Sequence, residues 1–185
     1  MSMPVQIGAK AHTFAEPTGL LSDCHRRIEM FLATLEAVAR VVDRPPVDDV
    51  CSGLQSALRY FAEAAPKHTA DEEESLFPRL RRKRRQEIAS VLARLEDLER
   101  DHRCAGPLHD EVERLGRKYL ATGALATDEV EQFRKDVAEL TKMYKRHIHF
   151  EDTELFPLAA RILTEPEKSA VADEMAGRRN LKRRP

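Results

Sequence analysis

Tryptophan is absent from this 185-residue sequence, glycine occurs seven times, cysteine occurs three times, and the net charge is only −1. The near-neutral charge excludes the global electrostatic field that recruits nucleic acid or an anionic membrane. The cysteines are widely spaced and include no CxxC pair, which argues against a disulfide framework and against a zinc knuckle. The chain is long enough for one compact domain with a sizeable core.

Long apolar runs are missing as well. No stretch approaches the roughly 20 apolar residues of a membrane span, and residues 1–17 have no apolar core of the kind found in signal peptides. We therefore expect a cytoplasmic protein. The sequence also has no nucleophile and base arranged for an organic substrate, no phosphate-binding glycine loop and no dinucleotide motif. These absences favour a metal-binding or redox protein over an enzyme, but they leave the question of enzymatic activity open.

Apolar residues recur at steps of three and four, without the alternation that indicates β-strands. The pattern predicts four long helices, at about residues 19–42, 47–82, 85–120 and 127–163. Pro66 is expected to bend the second of them. Four amphipathic helices with short connections predict an all-α, antiparallel up-and-down four-helix bundle over residues 18–163. Residues 1–17 are predicted to form an N-terminal arm, and residues 164–185 a short helix with a basic tail.

One segment of the sequence is written twice. "HTADEEESLFP" begins at His68 and "HIHFEDTELFP" begins at His147. In each copy a glutamate follows the first histidine by four residues, Glu72 in the first copy and Glu151 in the second. Four residues make about one helical turn, so each histidine lies on the same helix face as its glutamate, and that face is otherwise apolar. Burying ionisable groups in a core is costly unless they are paired or bound to a metal.

A lone histidine precedes each copy, His25 on the first helix and His102 on the third. Each lone histidine and the copy that follows it lie on one helical hairpin, the first with His25, His68 and Glu72 and the second with His102, His147 and Glu151. Two such hairpins packed face to face would bring four imidazoles and two carboxylates to one level of the bundle. Six ligands exceed the needs of one tetrahedral zinc ion. They suit two cations that share two bridging carboxylates, and this mixed ligation with open positions favours iron, with manganese or zinc as substitutes. The predicted metal ligands are His25, His68, Glu72, His102, His147 and Glu151.

At these residues the sequence resembles the hemerythrin-like, HHE cation-binding family of four-helix bundles, which hold a non-haem di-iron centre with an oxo or hydroxo bridge. The resemblance covers about residues 18–163. It implies an iron site that meets dioxygen, nitric oxide or peroxide, in roles from oxygen carriage and sensing to iron supply under oxidative or nitrosative stress. The expected partner is a small gaseous or peroxide ligand. We expect no membrane or nucleic-acid partner, and the sequence names no protein partner.

The sequence departs from the oxygen-carrying branch of that family at Gly106. Members of that branch resemble one another in a second histidine one turn after the third-helix ligand, whereas the position four after His102 is glycine here, followed by Pro107. The site therefore resembles the symmetric branch linked to redox or nitric-oxide chemistry, and reversible oxygen carriage becomes the alternative. Gly106 and Pro107 together predict a gap beside the metal site. A metal-independent structural bundle is the third interpretation.

Three further residues on inner helix faces are candidate additional ligands or hydrogen-bonding partners of the site. His109 lies about 10.5 Å along the helix axis from His102, so we expect a core hydrogen bond or a channel lining in preference to metal ligation. Tyr144 is either a hydrogen-bond donor at the site or an ordinary core residue. Glu154 is predicted to face inward as an alternative ligand or an acceptor for an imidazole. Glu73 is predicted to lie on a solvated face.

Overall fold

The computed structural model describes residues 12–83 and 89–181, and within them every regular element is helical. The all-α class is therefore confirmed. In chain order the elements are α1 (Pro17–Ala39), α2 (Asp48–Glu63), α3 (Ala65–Ala70), the π-helical turn π1 (Asp71–Leu76), α4 (Phe77–Arg81), α5 (Ala89–Thr122), α6 (Thr127–Phe150), the π-helical turn π2 (Glu151–Leu155), α7 (Phe156–Ile162) and α8 (Glu165–Arg178).

Some predictions fall outside the described residues: most of the N-terminal arm (1–11), the end of the basic tail (182–185) and the start of the third helix at residue 85. The predicted short C-terminal helix is present as α8. None of the described helices has both the length and the apolar character that crossing a membrane requires.

The helices pack as a helical bundle, and along the chain they group into the stretches α1, α2 to α4, α5, and α6 to α7. α1 packs on α2 and α6, and α5 packs on the same two helices. The apolar core is divided into two clusters. Along α1, Ile28 belongs to one cluster and Leu21 to the other, and His25 lies between them in the sequence. On α2 to α4 and on α5 the predicted metal ligands likewise lie between members of the two clusters, and on α6 to α7 the change from one cluster to the other falls between Ile148 and Phe150, within the segment from His147 to Glu151. The histidines and glutamates therefore occupy a polar layer where the two apolar clusters meet.

α1 ends earlier than the periodicity predicts. The helix stops at Ala39, not near Val42, and residues 40–43 form a turn. The carbonyl of Ala39 accepts a hydrogen bond from Nε of Arg134 at 2.8 Å, which satisfies one of the carbonyls that a helix end leaves unpaired. Val42 is nevertheless buried in the core. Its place in the apolar pattern therefore results from its burial and not from a helical conformation.

The second stretch is interrupted where the sequence predicts a bend. α2 ends at Glu63, Ala64 adopts φ −103° and ψ −43°, and a new helix begins at Ala65 with Pro66 in its first turn. A proline in the first helical turn costs little, because the amide hydrogen that it lacks would have no partner inside the helix. Pro66 therefore starts α3 and does not merely bend a continuous helix.

The repeated Leu-Phe-Pro sequence accounts for the two π-helical turns. The amide of Phe77 donates to the carbonyl of Glu72, and the amide of Phe156 donates to the carbonyl of Glu151, each five residues back. The next residue in each copy is proline, which has no amide hydrogen and whose ring clashes with a carbonyl four residues earlier in a regular α-helix. Widening the turn relieves that clash, and π-helical turns of this kind are frequent at functional sites.

Candidate metal centre

The six predicted ligands come together in the polar layer of the bundle. Oε1 of Glu72 lies 3.2 Å from Nε2 of His68, and its Oε2 lies 3.4 Å from Nε2 of His102. Oε2 of Glu151 lies 3.2 Å from Nε2 of both His147 and His25. Each carboxylate therefore lies between one imidazole from the first hairpin and one from the second.

The four imidazoles form two pairs, one within each hairpin. The ring centroids of His25 and His68 are 4.9 Å apart, and Nε2 of His102 is 3.1 Å from Nε2 of His147. Two groups have ligand atoms that all lie within 4.8 Å of one another. The first group contains His25, His68, Glu72 and Glu151, and the second contains Glu72, His102 and His147. Glu72 belongs to both groups, as a bridging ligand must.

The atoms that point into the centre fit a bound cation. Both carboxylate oxygens of Glu72 and of Glu151, and Nε2 of His25, are buried and make no hydrogen bond. The approaches of 3.2 Å to the imidazoles are thus close contacts without hydrogen-bond geometry. Leaving buried carboxylate oxygens unpaired costs several kcal/mol, roughly, whereas coordination to a metal ion would satisfy them. Imidazole nitrogen combined with carboxylate oxygen suits a divalent first-row metal.

The two glutamates have opposite electrostatics although they occupy equivalent positions in the repeat. Burial and the nearby charge of Glu151 raise the pKa of Glu72 well above its usual range. Burial also opposes ionisation of Glu151, but His147 and His25 outweigh it and lower its pKa. For His147, burial opposes the charged form, yet Glu151 and Asp101 raise its pKa to about 9. A cation between the carboxylates would favour ionisation of both.

Two acidic residues orient the lone histidines by contacting the ring nitrogen that faces away from the centre. Nδ1 of His25 lies 2.8 Å from Oδ1 of Asp152, and Nδ1 of His102 lies 2.8 Å from Oε1 of Glu73. The Glu73 side chain is 34% exposed, in line with its predicted place on a solvated face, but its bond to His102 was not predicted, and neither was that of Asp152 to His25. Donation from Nδ1 leaves the Nε2 lone pair of each ring directed at the centre. The available signal was the acidic residue that follows the paired glutamate in both copies of the repeat.

Glu154 does not reach the centre, contrary to the prediction that it faces inward. Its side chain is exposed at the end of π2, where the wider turn rotates it off the inner face. The equivalent residue in the first copy, Ser75, is buried because α8 covers it and Arg178 donates to its hydroxyl at 2.9 Å. No covering helix is packed on π2 in the same way within the described residues.

His109 and Tyr144 bond to each other beside the centre. Nε2 of His109 lies 3.0 Å from the Tyr144 hydroxyl, and the imidazole stacks on Phe61 with ring centroids 4.6 Å apart. Burial lowers the pKa of His109 to about 4, so the ring is neutral near pH 7. Burial raises the pKa of Tyr144, which is therefore a neutral phenol. His109 therefore makes a hydrogen bond in the core, as predicted. The hydroxyl of Tyr144 is its partner in that hydrogen bond.

Two cavities adjoin the centre. A space of about 10 Å³ lies among His25, His68, His102 and His147, which is close to one water-sized sphere. A larger, half-open cavity of about 440 Å³ is lined in part by His102 and Gly106. A Cβ atom added to Gly106 would meet nothing within 4 Å, so the glycine leaves open space at this position.

The family model of the hemerythrin HHE cation-binding domain matches residues 16–159 of this chain. The chain belongs to the hemerythrin HHE cation-binding family. All six histidines and glutamates of the centre lie within the matched range of this hemerythrin-family chain. It is also 26% identical over 172 residues to an uncharacterised protein of Haemophilus influenzae, an alignment that covers 92% of this chain and 94% of the relative. Family membership and the buried histidine-glutamate cluster together indicate metal binding.

Proposed function

We propose that this hemerythrin-family protein binds two non-haem iron ions, each held by two histidines and both bridged by Glu72 and Glu151. One ion takes the pair His25 and His68, and the other takes His102 and His147. The four long helical stretches would run antiparallel, up and down, around the two ions. The observation that carries the proposal is the set of four buried carboxylate oxygens, on two glutamates, that have no hydrogen-bonding partner and face four imidazoles.

We further propose that the ions bind a small ligand, namely dioxygen, nitric oxide or peroxide. Two imidazoles and shared carboxylates leave open coordination positions on each ion, because Gly106 supplies no third imidazole and His109 is bonded to Tyr144. Bound iron supplies the redox chemistry and the exchangeable positions. Asp152 and Glu73 hold the imidazoles of His25 and His102 in place. The polar layer of histidines and glutamates lies between two apolar clusters. This symmetric ligand set supports sensing or redox chemistry over reversible oxygen carriage.

Metal content and visible spectra test the proposal directly. Protein produced in iron-rich medium is expected to carry two irons per chain and to change its visible spectrum when exposed to dioxygen or nitric oxide. A spectrum that recovers when the gas is removed indicates sensing, whereas iron lost on exposure to nitric oxide indicates iron supply. Protein that contains a single zinc ion or no metal, with an unchanged fold, contradicts the proposal and favours a structural bundle.

The bridging role has a matched control within π2. Glu72→Gln and Glu151→Gln remove a negative charge at the centre and are expected to halve or abolish iron loading. Glu154→Gln makes the same chemical change three residues after Glu151 on an exposed side chain, so its iron content should equal that of the parent. Equal loading of all three variants would exclude the bridging carboxylates.

A further inference from the structure

The half-open cavity beside the centre is larger than a diatomic ligand needs. Its volume is about 440 Å³, within the range of about 300–1,000 Å³ that is typical of pockets for small organic molecules. It shares Ala65, Thr69, His102 and Tyr144 with the space of about 10 Å³ at the centre itself. A molecule bound in the larger cavity would therefore lie directly beside the imidazole layer.

The cavity wall is mainly apolar, with a few polar groups. Its apolar members include Leu58, Phe61, Ala65, Ala105 and Val112. One polar pair in the wall is His109 with Tyr144, already joined at 3.0 Å. A phenol hydroxyl and a neutral imidazole can each donate and accept, so the pair can take one further hydrogen bond from a ligand. The other polar members are Thr69, His102, Asp110 and Glu113. Mostly apolar walls with a few polar groups are the usual composition of a site for a small organic molecule.

The charges around the cavity select against anions. Asp110 and Glu113 line it, and no lysine or arginine among the described residues does so. The carboxylate of Glu113 is paired with Arg117 at 2.6 Å, whereas Asp110 is exposed on the same helix. Small residues keep the space open: Gly106 contributes no side chain, and a Cβ there would meet nothing within 4 Å.

We propose that this cavity binds a small, neutral, mostly apolar organic molecule that carries one hydroxyl or carbonyl group. The apolar part lies against Leu58, Phe61 and Val112, and the polar group bonds to the pair formed by His109 and Tyr144. The site is distinct from the iron ligands, since it needs none of the atoms that would hold a cation. Binding here places an organic molecule next to His102, where it can shape access to the metal centre.

Benzyl alcohol is a suitable probe, with toluene and benzoate as matched comparisons. Titration of the full chain as isolated, followed by NMR, should give saturable binding of benzyl alcohol with a dissociation constant of about 1 mM or lower. Toluene lacks the hydroxyl and should bind about five-fold more weakly, the value of one ordinary hydrogen bond. Benzoate should not bind, because the acidic rim repels it. The shifted resonances should include those of Tyr144 and His109.

Three variants assign the binding to this cavity. Gly106→Leu fills the open space and should abolish binding of benzyl alcohol, whereas Gly177→Leu, at a helical glycine whose added Cβ also meets nothing within 4 Å, should leave it unchanged. The double variant His109→Phe, Tyr144→Phe keeps both aromatic rings but removes both polar atoms of the pair, so the affinity for benzyl alcohol should fall to that for toluene.

Three results would overturn the inference: benzoate binding as tightly as benzyl alcohol, unchanged affinity in both Gly106→Leu and the double variant His109→Phe, Tyr144→Phe, or no saturable binding at about 10 mM probe. The comparisons among probes and variants are made within one metal state, and repeating them on metal-free protein removes the line broadening that paramagnetic iron would cause at His109 and Tyr144. A failure here would leave the di-iron proposal intact, and a failure of iron loading would leave this cavity site to be judged on its own titrations.

Discussion

The imidazole of His25 and the carboxylate of Asp152 lie 2.8 Å apart, although they come from opposite ends of the chain. The second hairpin repeats this relationship in reverse, with His102 bonded to Glu73 at the same distance. Each hairpin therefore supplies the acidic residue that orients the lone histidine of the other. This exchange ties the two halves together at the level of the metal centre.

Removing these acidic partners should weaken metal binding without removing a ligand. Asp152→Ala and Glu73→Ala free the lone imidazoles to rotate and make them less basic, which typically lowers metal affinity about 10- to 100-fold. Competition with a chelator measures the change. Thr153→Ala, beside Asp152 and exposed, is the control and should retain the parent affinity. Parent-like affinity in both acidic variants would show that these contacts do not hold the imidazoles in place.

The buried carboxylate of Asp71 predicts a strong dependence of stability on α8. Nη1 of Arg178 lies 3.0 Å from Oδ1 of Asp71, and Nη2 of Arg179 lies 2.6 Å from Oδ2. Asp71 is fully buried, so removing both arginines leaves an uncompensated buried charge, which costs about 3–5 kcal/mol. Urea unfolding of the Arg178→Ala, Arg179→Ala double variant should show a loss of this size.

A surface arginine provides the control for that experiment. Arg117 pairs with Glu113 but its side chain is 66% exposed, so Arg117→Ala should change the unfolding free energy by less than about 1 kcal/mol. If the double variant is no less stable than Arg117→Ala, α8 does not hold π1 through Asp71. Metal retention by the double variant is also expected to fall, because Glu72 follows Asp71 directly in π1.

The imidazole of His109 predicts a loss of stability in acid. Burial lowers its pKa from 6.5 to about 4, so between these pH values the unfolded chain binds a proton that the folded chain does not. The stability that the neutral ring contributes is complete above pH 6.5 and declines as pH falls towards 4, by at most about 3 kcal/mol.

The comparison of metal-free protein with its His109→Phe variant isolates this effect, because phenylalanine does not titrate. The difference in unfolding free energy between the two proteins should shift in favour of the variant by that amount as the pH is lowered from 6.5 to 4. A difference that stays constant with pH would mean that the ring is protonated as easily in the folded chain as in the unfolded one.

Two helical glycines should respond in opposite ways to alanine. An added Cβ at Gly177 of α8 meets nothing within 4 Å, whereas one at Gly116 of α5 would lie 3.0 Å from Cδ1 of Leu58. Gly177→Ala should therefore stabilise its helix, by at most about 1 kcal/mol, the usual gain in a helix. Gly116→Ala should gain less or lose stability, because Leu58 must move in a packed core. Thermal unfolding of both variants measures the contrast.

Helical periodicity and the repeat were enough to predict the helical stretches and the six residues that converge. A residue four places after His68 or His147 must share its helix face, whatever surrounds the helix. A histidine and a glutamate on one apolar helix face, in both copies of the repeat, then indicate that the two copies share one metal centre. The same reasoning placed Glu154 inward, and it failed there because π2 changes the local periodicity that the prediction assumed.

Which side chains share a helix face follows from the order of the residues, since backbone geometry repeats at a constant angle. The contacts of Asp152 with His25, of Glu73 with His102 and of Asp71 with α8 arise from packing between segments far apart in the chain. The repeat marks Glu73 and Asp152 as equivalent acidic positions, but spacing does not encode which side chains they contact, because the relative rotation of two packed helices depends on the whole core. The cavity beside Gly106 has the same origin, since it is the space that three packed stretches, α2 to α4, α5 and α6 to α7, leave unfilled.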